Sequence, residues 1–436
     1  MSLKKKLHNI TNDFDSKEIL EKGFSFLLIR IGGLFMAYLF TYLVTKKYGA
    51  SAYGLISICF SLFLFASIMG RLGLDINLVK FYAAEEKWKD KGLFYKAWLK
   101  SFVASLLIAV VLYALKDVFV FKIFKKPQLA PYIIWTAMAI PFWTSSLMCA
   151  SLLRAKKSNN WFAFLNNPGR FTFTALSLLI IGLLIDTPLN AIKAHFFGVL
   201  ALSLVSLFLV FRTLEQVSFV SNTNSWAFLR DSFPMMLSST ILIILGWLDT
   251  FILGIYETDE NVGIYNVALR LATLTSFTLQ AINSILAPKL AKYHQEENTT
   301  SLKKIVKLTT ALNFYTTLTI VIAIVVLRKP MLNIFGEEFI KGGIILVILC
   351  VGQLVNSISG SVGTILQMVG KQKVYQNIVV LALFLNIILN VTLIPLYGGV
   401  GAAISTAVSI ASWNLLGAIY LKRKLNITSY YNFRRI

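Results

Sequence analysis

Residues 235–256 read MMLSSTILIILGWLDTFILGIY. Asp249 carries the one charge in that run, and nearly everything around it is apolar. As a helix rising about 1.5 Å per residue, the stretch is long enough to cross a hydrocarbon layer of roughly 30 Å. An unpaired carboxylate at that depth is costly. The stretch therefore predicts a membrane-spanning helix and demands a purpose for Asp249.

Similar runs recur along all 436 residues of a chain that is 57% hydrophobic and 14% charged, where a soluble domain has about 25% charged residues. Spans are legible at about 23–45, 54–78, 97–115, 131–153, 169–185, 194–211, 233–255, 262–287, 306–327, 342–368, 374–396 and 400–421. The expected class is an all-α integral membrane protein of about 12 transmembrane helices. Helices satisfy their own backbone in lipid, which open sheets cannot do.

The segment before the first span, MSLKKKLHNITNDFDSKEILEKG, mixes acids with lysines and lacks a short apolar core ending in small residues, so no signal peptide is expected. A formal net charge of +22 would point to nucleic acid in a soluble protein. Here the basic residues sit in short loops between spans, so no nucleic-acid partner is expected. With the N-terminus inside, Lys and Arg on inner segments outnumber those on outer loops roughly three to one. That bias predicts a protein of the cytoplasmic (inner) membrane with both termini cytoplasmic. Cys59, Cys149 and Cys350 lie far apart inside spans, and His8, His195 and His294 lie near span ends. Neither set has metal-ligand spacing or a neighbouring nucleophile, so no metal, cofactor or catalytic residue is expected.

The polar stretch FRTLEQVSFVSNTNSWAFLRDSFP, 211–234, divides the spans six and six. It predicts an N-lobe over 1–212, a cytoplasmic linker over 213–230, and a C-lobe over 231–436 that ends in a basic tail. Across the divide, SAYGLISICFSLFLFA (51–66) can be laid on ENVGIYNVALRLATLT (260–275), matching Gly54 to Gly263. In the same order, SLLRAKKSN after the fourth span corresponds to TILQMVGKQK after the tenth. A parallel repeat of six spans places sites between the halves near mid-membrane, which is a transporter layout.

Taking the turn centre between Asp259 and Glu260, Asp249 lies 10 to 11 residues before it and Arg270 10 to 11 after it. The two reach one depth on an antiparallel hairpin, and a pair is expected. It serves either as a permanent clamp between helices or as a cavity pair in which Arg270 exchanges Asp249 for an anionic substrate. A guanidinium suits the second use because it binds phosphate in a bidentate way.

In the first half, Arg30 interrupts GFSFLLIRIGGLFMAYLF, and GRLGLDINLVK puts Arg71 and Asp75 toward the inner end of the second span. Both arginines lie about equally far from the turn near Gly49 and Ala50. With only Asp75 nearby they form a positive inner mouth that attracts a diphosphate headgroup; snorkelling into the headgroup layer is the alternative. Asp75 and Asp249 are the candidates for coupling. Gln280, Asn283, Gln353, Asn356, Gln367, Asn386 and Asn390 form a neutral set able to bind sugar hydroxyls or to cross-link helices.

NIILNVTLIPLYGGVGAAIST, 386–406, resembles the end of the eleventh helix and the start of the twelfth in polysaccharide flippases of the multidrug, oligosaccharidyl-lipid and polysaccharide exporter superfamily, the Wzx-type exporters of O-antigen and teichoic-acid units. The likeness rests on Asn386, Asn390, Pro395, Gly398, Gly401, Ala402, Ala403 and Thr406. YGASAYGLISI (48–58) is similar to the loop into that family's second helix, and LDTFILGIYETDENVGIYNVALRL (248–271) to its seventh-to-eighth hairpin. The resemblance implies a MATE-like exporter fold of two six-helix lobes. It also implies alternating-access transfer of a polyprenyl-diphosphate-linked oligosaccharide from the cytoplasmic to the outer leaflet, in O-antigen, capsule or teichoic-acid synthesis. A polysaccharide polymerase and glycosyltransferases are the implied associates.

Two rivals belong to the same superfamily. A cation-coupled multidrug exporter needs titrating carboxylates in its cavity, but here Asp75 and Asp249 are outnumbered by Arg30, Arg71 and Arg270. A lipid II flippase of the peptidoglycan branch also wants basic cavity residues, but commonly resembles a longer bundle. A membrane enzyme calls for acid/base or arginine-rich residues on a sizeable outer loop. The outer segments here are short, and ETDENVG reads as a solvated turn.

Overall fold

The computed structural model describes residues 14–184 and 186–431. Lys4, Lys5, Lys6, His8, Arg434 and Arg435, and with the last two the end of the basic tail, lie outside the described residues. The described residues form helices and connecting turns, with no strand among them. The helices are α1 (Phe14–Arg71), α2 (Leu74–Phe81), α3 (Lys91–Ala114), α4 (Ala130–Ala155), α5 (Asn159–Asn166), α6 (Pro168–Leu184), α7 (Asn190–Leu214) and α8 (Ser225–Tyr256). They continue with α9 (Asp259–Thr273), α10 (Ser276–Gln295), α11 (Thr299–Val326), α12 (Arg328–Asn333), α13 (Gly343–Ser359), α14 (Val362–Met368) and α15 (Gln372–Leu425).

Among the described residues, seven helical stretches are long and apolar enough to cross a membrane, or nine if each bent pair counts as one span. Two of the seven are double. The run Leu28–Arg71 has 44 residues and α15 has 54, whereas about 20 suffice for one crossing. Each breaks at a glycine with positive φ, Gly49 (φ 77°) and Gly398 (φ 54°), a conformation that costs a side-chain-bearing residue. Counting each double run twice and adding the short α6 reaches the twelve crossings predicted from sequence. Large apolar side chains remain exposed on these helices, among them Leu183 at 86%, Leu396 at 71% and Phe208 at 62%. Patches of that kind penalise a soluble monomer and suit a lipid-facing surface. The chain is a multi-pass membrane protein.

Proline and a tightened turn shape two of the spans. α8 carries Pro234, whose ring removes one helical hydrogen bond and favours a bend there. α9 and α10 meet at 42°, where Leu274 N and Thr275 N donate to carbonyls only three residues back, Leu271 O and Ala272 O. A short tightened turn of this type is a common bend between helices.

The chain divides into two compact units. Unit 1 comprises residues up to Leu43 together with Leu62–Lys122 and Lys126–Ser239. Unit 2 comprises Val44–Ser61, Ile123–Lys125 and Thr240–Ile436. Within unit 2, α10, α11, α14 and α15 close on a core of Leu286, Leu302, Val306, Ile365 and Leu421, which Ile427 joins from beyond the end of α15.

Unit 2 also contains a backbone contact between the two repeat-matched glycines. A Cβ on Gly54 would stand 1.8 Å from the Asp259 carbonyl oxygen and 3.1 Å from Gly263 N. A Cβ on Gly263 would stand 2.1 Å from the Ala50 carbonyl oxygen and 3.2 Å from Gly54 N. Reciprocal contact between matched positions is what a local two-fold relation produces. It also explains why both positions lack a side chain.

Within unit 1, the polar stretch that follows α7 is tied down by Asp90. Its Oδ2 accepts from Ser221 Oγ at 2.8 Å, Thr223 Oγ1 at 2.8 Å and Thr223 N at 3.2 Å, while Oδ1 accepts from Leu93 N at 3.2 Å and so caps α3. Burial pushes this carboxyl upward, but the hydrogen bonds from Thr223, Ser221 and Leu93 outweigh it, and its pKa lies below the ordinary value. A depressed folded-state pKa adds stability above the unfolded value, about 3.9 for Asp, and loses it as pH falls through the folded one. Amide hydrogen exchange across 221–225 should therefore stay slow from neutral pH to below that value. Asp90→Ala should make it fast at pH 7 by removing the carboxylate that accepts from Ser221 and Thr223, hydrogen bonds to a charged group being worth about 1.5–3 kcal/mol each; unchanged protection would contradict the tether.

Candidate functional site

The predicted polar residues fall into separate groups. The most enclosed is in unit 2 around Asp249, which is only 3% exposed. Its Oδ2 accepts from Tyr265 Oη at 2.9 Å and from the Thr406 hydroxyl. Its Oδ1 accepts from Asn390 Nδ2 at 2.6 Å and Asn386 Nδ2 at 3.3 Å, and Asn390 Nδ2 also reaches Asn386 Oδ1 at 3.0 Å. Tyr265 and Thr406 themselves approach to 3.4 Å. One carboxylate thus joins α8, α9 and both arms of α15, and a second bond from Thr250 Oγ1 to Asn266 Oδ1 at 3.0 Å fixes α8 on α9.

The expected pair with Arg270 does not form; the four donors just named are neutral. The reason lies in the hairpin register. α8 ends at Tyr256 and Thr258 caps α9, so the turn centres near Glu257 and Thr258 rather than between Asp259 and Glu260. Asp249 then faces Tyr265 and Asn266, and Arg270, partly buried in the last turn of α9, lies about 6 Å farther along. The second hairpin obeys the same rule: Asn390 and Thr406 flank the Gly398 break symmetrically. Tyr265 was missed as a site residue, and Thr406 entered only through the family resemblance. Counting from Thr258 and Gly398 would have found both.

Asn390 Oδ1 is buried and accepts no hydrogen bond among the described residues. With the Asp249 carboxylate, Asn386 Oδ1 and two hydroxyls nearby, the cluster is a set of oxygen donors. Such a set can hold a proton or a small hard cation. Among the described residues, no three of His, Cys, Asp and Glu gather as a metal site.

The remaining amides divide. Gln353 Oε1 accepts from Ser276 Oγ at 3.0 Å, and Asn356 Oδ1 accepts from Asn414 Nδ2 at 3.0 Å, so this pair ties α10, α13 and α15 together as helix glue. Gln280 and Gln367 are exposed, and Asn283 is partly buried. In unit 1, Arg71 NH1 lies 2.5 Å from Asp75 Oδ2 one turn on, both largely buried. Asp75 is thus engaged as the partner of Arg71, while Arg30 is exposed on an apolar stretch of α1.

Residues 19–294 match the model of the polysaccharide biosynthesis protein family, and 234–392 match the MatE model. The chain belongs to the polysaccharide biosynthesis protein family. The match carries a family-level relationship across most of the membrane spans. The probable low-salt glycan biosynthesis flippase Agl15 of Haloferax volcanii is 24% identical over 420 residues, covering 95% of this chain and 86% of that one. Among solved structures, the lipid II flippase MurJ in an inward closed conformation superposes with a TM-score of 0.76 at 15% identity, over 92% of this chain and 87% of that one. An inward-facing multidrug resistance MATE transporter superposes at 0.71 and 14% identity, over 92% and 98%. This family member therefore has the MATE-like exporter fold.

Proposed function

We propose that the chain is a transporter that moves a polyprenyl-diphosphate-linked oligosaccharide from the cytoplasmic to the outer leaflet by alternating access. The observation that carries this reading is the family match over 19–294, in a chain with arginines set into its apolar spans. In this reading Arg30, Arg71 and Arg270 attract the diphosphate, and exposed amides such as Gln280 contact the glycan. Three guanidinium groups favour an anionic cargo over a cationic drug. Asp249 is the coupling group, binding a proton or a small cation in one half of the cycle. Asp75, held by Arg71, positions that arginine. The cytoplasmic membrane, both termini inside, and work alongside glycosyltransferases and a polymerase complete the proposal.

The test is arrival of labelled lipid-linked glycan at the outer leaflet of cells that depend on this protein. Arg30→Ala and Arg270→Ala should each insert normally yet reduce arrival by about tenfold or more, the loss of one charge-assisted contact of about 1.5–3 kcal/mol. Full arrival in both variants would remove the arginines from the mechanism.

A further inference from the structure

Unit 1 contains a cavity of about 390 Å³, within the range of about 300–1,000 Å³ of small-molecule sites. Its wall comes from the end of α1 with α2, the last turns of α4, and α5. Arg71, Lys80 and Arg154 line it with a single carboxylate, Asp75, and its apolar lining includes Val79, Leu147 and Phe162. Asp75 is committed to Arg71. Among the described residues, neither Lys80 nor Arg154 has a carboxylate within ion-pair distance, so the cavity keeps a net positive charge.

Arg154 is set for binding by its neighbours. It stands in the last turn of α4, and its guanidinium carbon lies 4.9 Å from the centre of the Phe162 ring on α5. A cation–π contact with the ring holds the guanidinium at the cavity while its N–H groups can still donate, which suits a phosphate. Attraction to the α4 C-terminus accounts for a positive charge there. It does not account for three cations converging on one concavity with an apolar wall.

We infer that this cavity binds the phosphate group of a membrane lipid, with the first part of the lipid's apolar chain against Val79, Leu147 and Phe162. The inference stands apart from the transported glycan and from the arginines of the proposed transport path other than Arg71. Two lipids carry the required chemistry: an acidic glycerophospholipid and a polyprenyl phosphate.

The purified full chain would be titrated in detergent and read by native mass spectrometry. The probes are phosphatidylglycerol against diacylglycerol, polyprenyl phosphate against polyprenol, and inorganic phosphate alone. Each phosphate lipid that belongs in the site should bind at least about tenfold more tightly than its phosphate-free partner, as expected for a charge-assisted contact. Arg154→Gln, at an exposed helix end, should abolish that preference. Val79→Trp, which fills the cavity while leaving every charged residue in place, should lower binding of the same lipid. Whichever lipid shows all three effects is the source. The site is overturned if neither lipid outbinds its phosphate-free partner, if both variants bind as wild type does, or if inorganic phosphate binds as tightly as the lipids. Transport failure in the cell experiment leaves these titrations unaffected, so the two proposals fail separately.

Discussion

Asp249→Asn should insert, fold and purify as the wild type does, and transport lipid-linked glycan about 10- to 100-fold more slowly, the effect of losing one charged contact worth about 1.5–3 kcal/mol. The asparagine is nearly isosteric. Its carbonyl can face Asn386 and Asn390, and its amide can face the Tyr265 and Thr406 hydroxyls, which can turn to accept. What disappears is the ability to gain and lose a charge. Asp249→Ala should do something different: it leaves buried donors on α9 and on both arms of α15 without an acceptor and should cost about 3–5 kcal/mol of stability, as removal of one member of a buried charged network does. Thermal unfolding and transport measured on both variants separate the roles. Wild-type transport by Asp249→Asn would make the cluster a structural clamp only.

The second large effect is expected where two helices touch through glycine. At Gly54 and Gly263 an added Cβ meets backbone oxygen at 1.8 and 2.1 Å, and no side-chain rotation can relieve a backbone clash. Each Gly→Ala should force the crossing apart at a cost of about 1–3 kcal/mol. The double variant should cost clearly less than the two single losses together, because one separation serves both new methyl groups. Unfolding in mixed micelles gives the three values. Additivity within about 0.5 kcal/mol would show that the sites do not share one contact.

The spans were legible in the sequence because lipid imposes length and apolarity on each helix separately. The turns near Gly49 and at Gly398 were legible because glycine marks where a helix must reverse. The match of Gly54 to Gly263 was visible as a faint repeat; their contact was not, since a repeat gives equivalence and not distance. Asp249 was legible as a problem and mis-solved. Its partner was sought among charges, and the hairpin centre was placed too late by about half a turn of helix, which put Arg270 where Tyr265 and Asn266 belong. Asn386 and Asn390 were named as glycan binders or glue, without the link to Asp249, because long-range pairing depends on how two hairpins pack. For Asp90 only the cap on Leu93 is local; its tether to Ser221 and Thr223 was not legible, as those partners lie more than a hundred residues away.

The central claim is that this chain moves a lipid diphosphate bearing sugars across a bilayer, and purified protein in vesicles tests it most directly. Vesicles are loaded with polyprenyl-diphosphate oligosaccharide carrying a fluorophore on the sugar, and a membrane-impermeant quencher is added outside. Protein-bearing vesicles should convert the protected inner pool into quenched outer pool, Arg270→Ala vesicles should do so far more slowly, and a zwitterionic phospholipid with the same fluorophore should stay protected. Equal quenching with and without protein, or transfer of both lipids alike, would contradict the account.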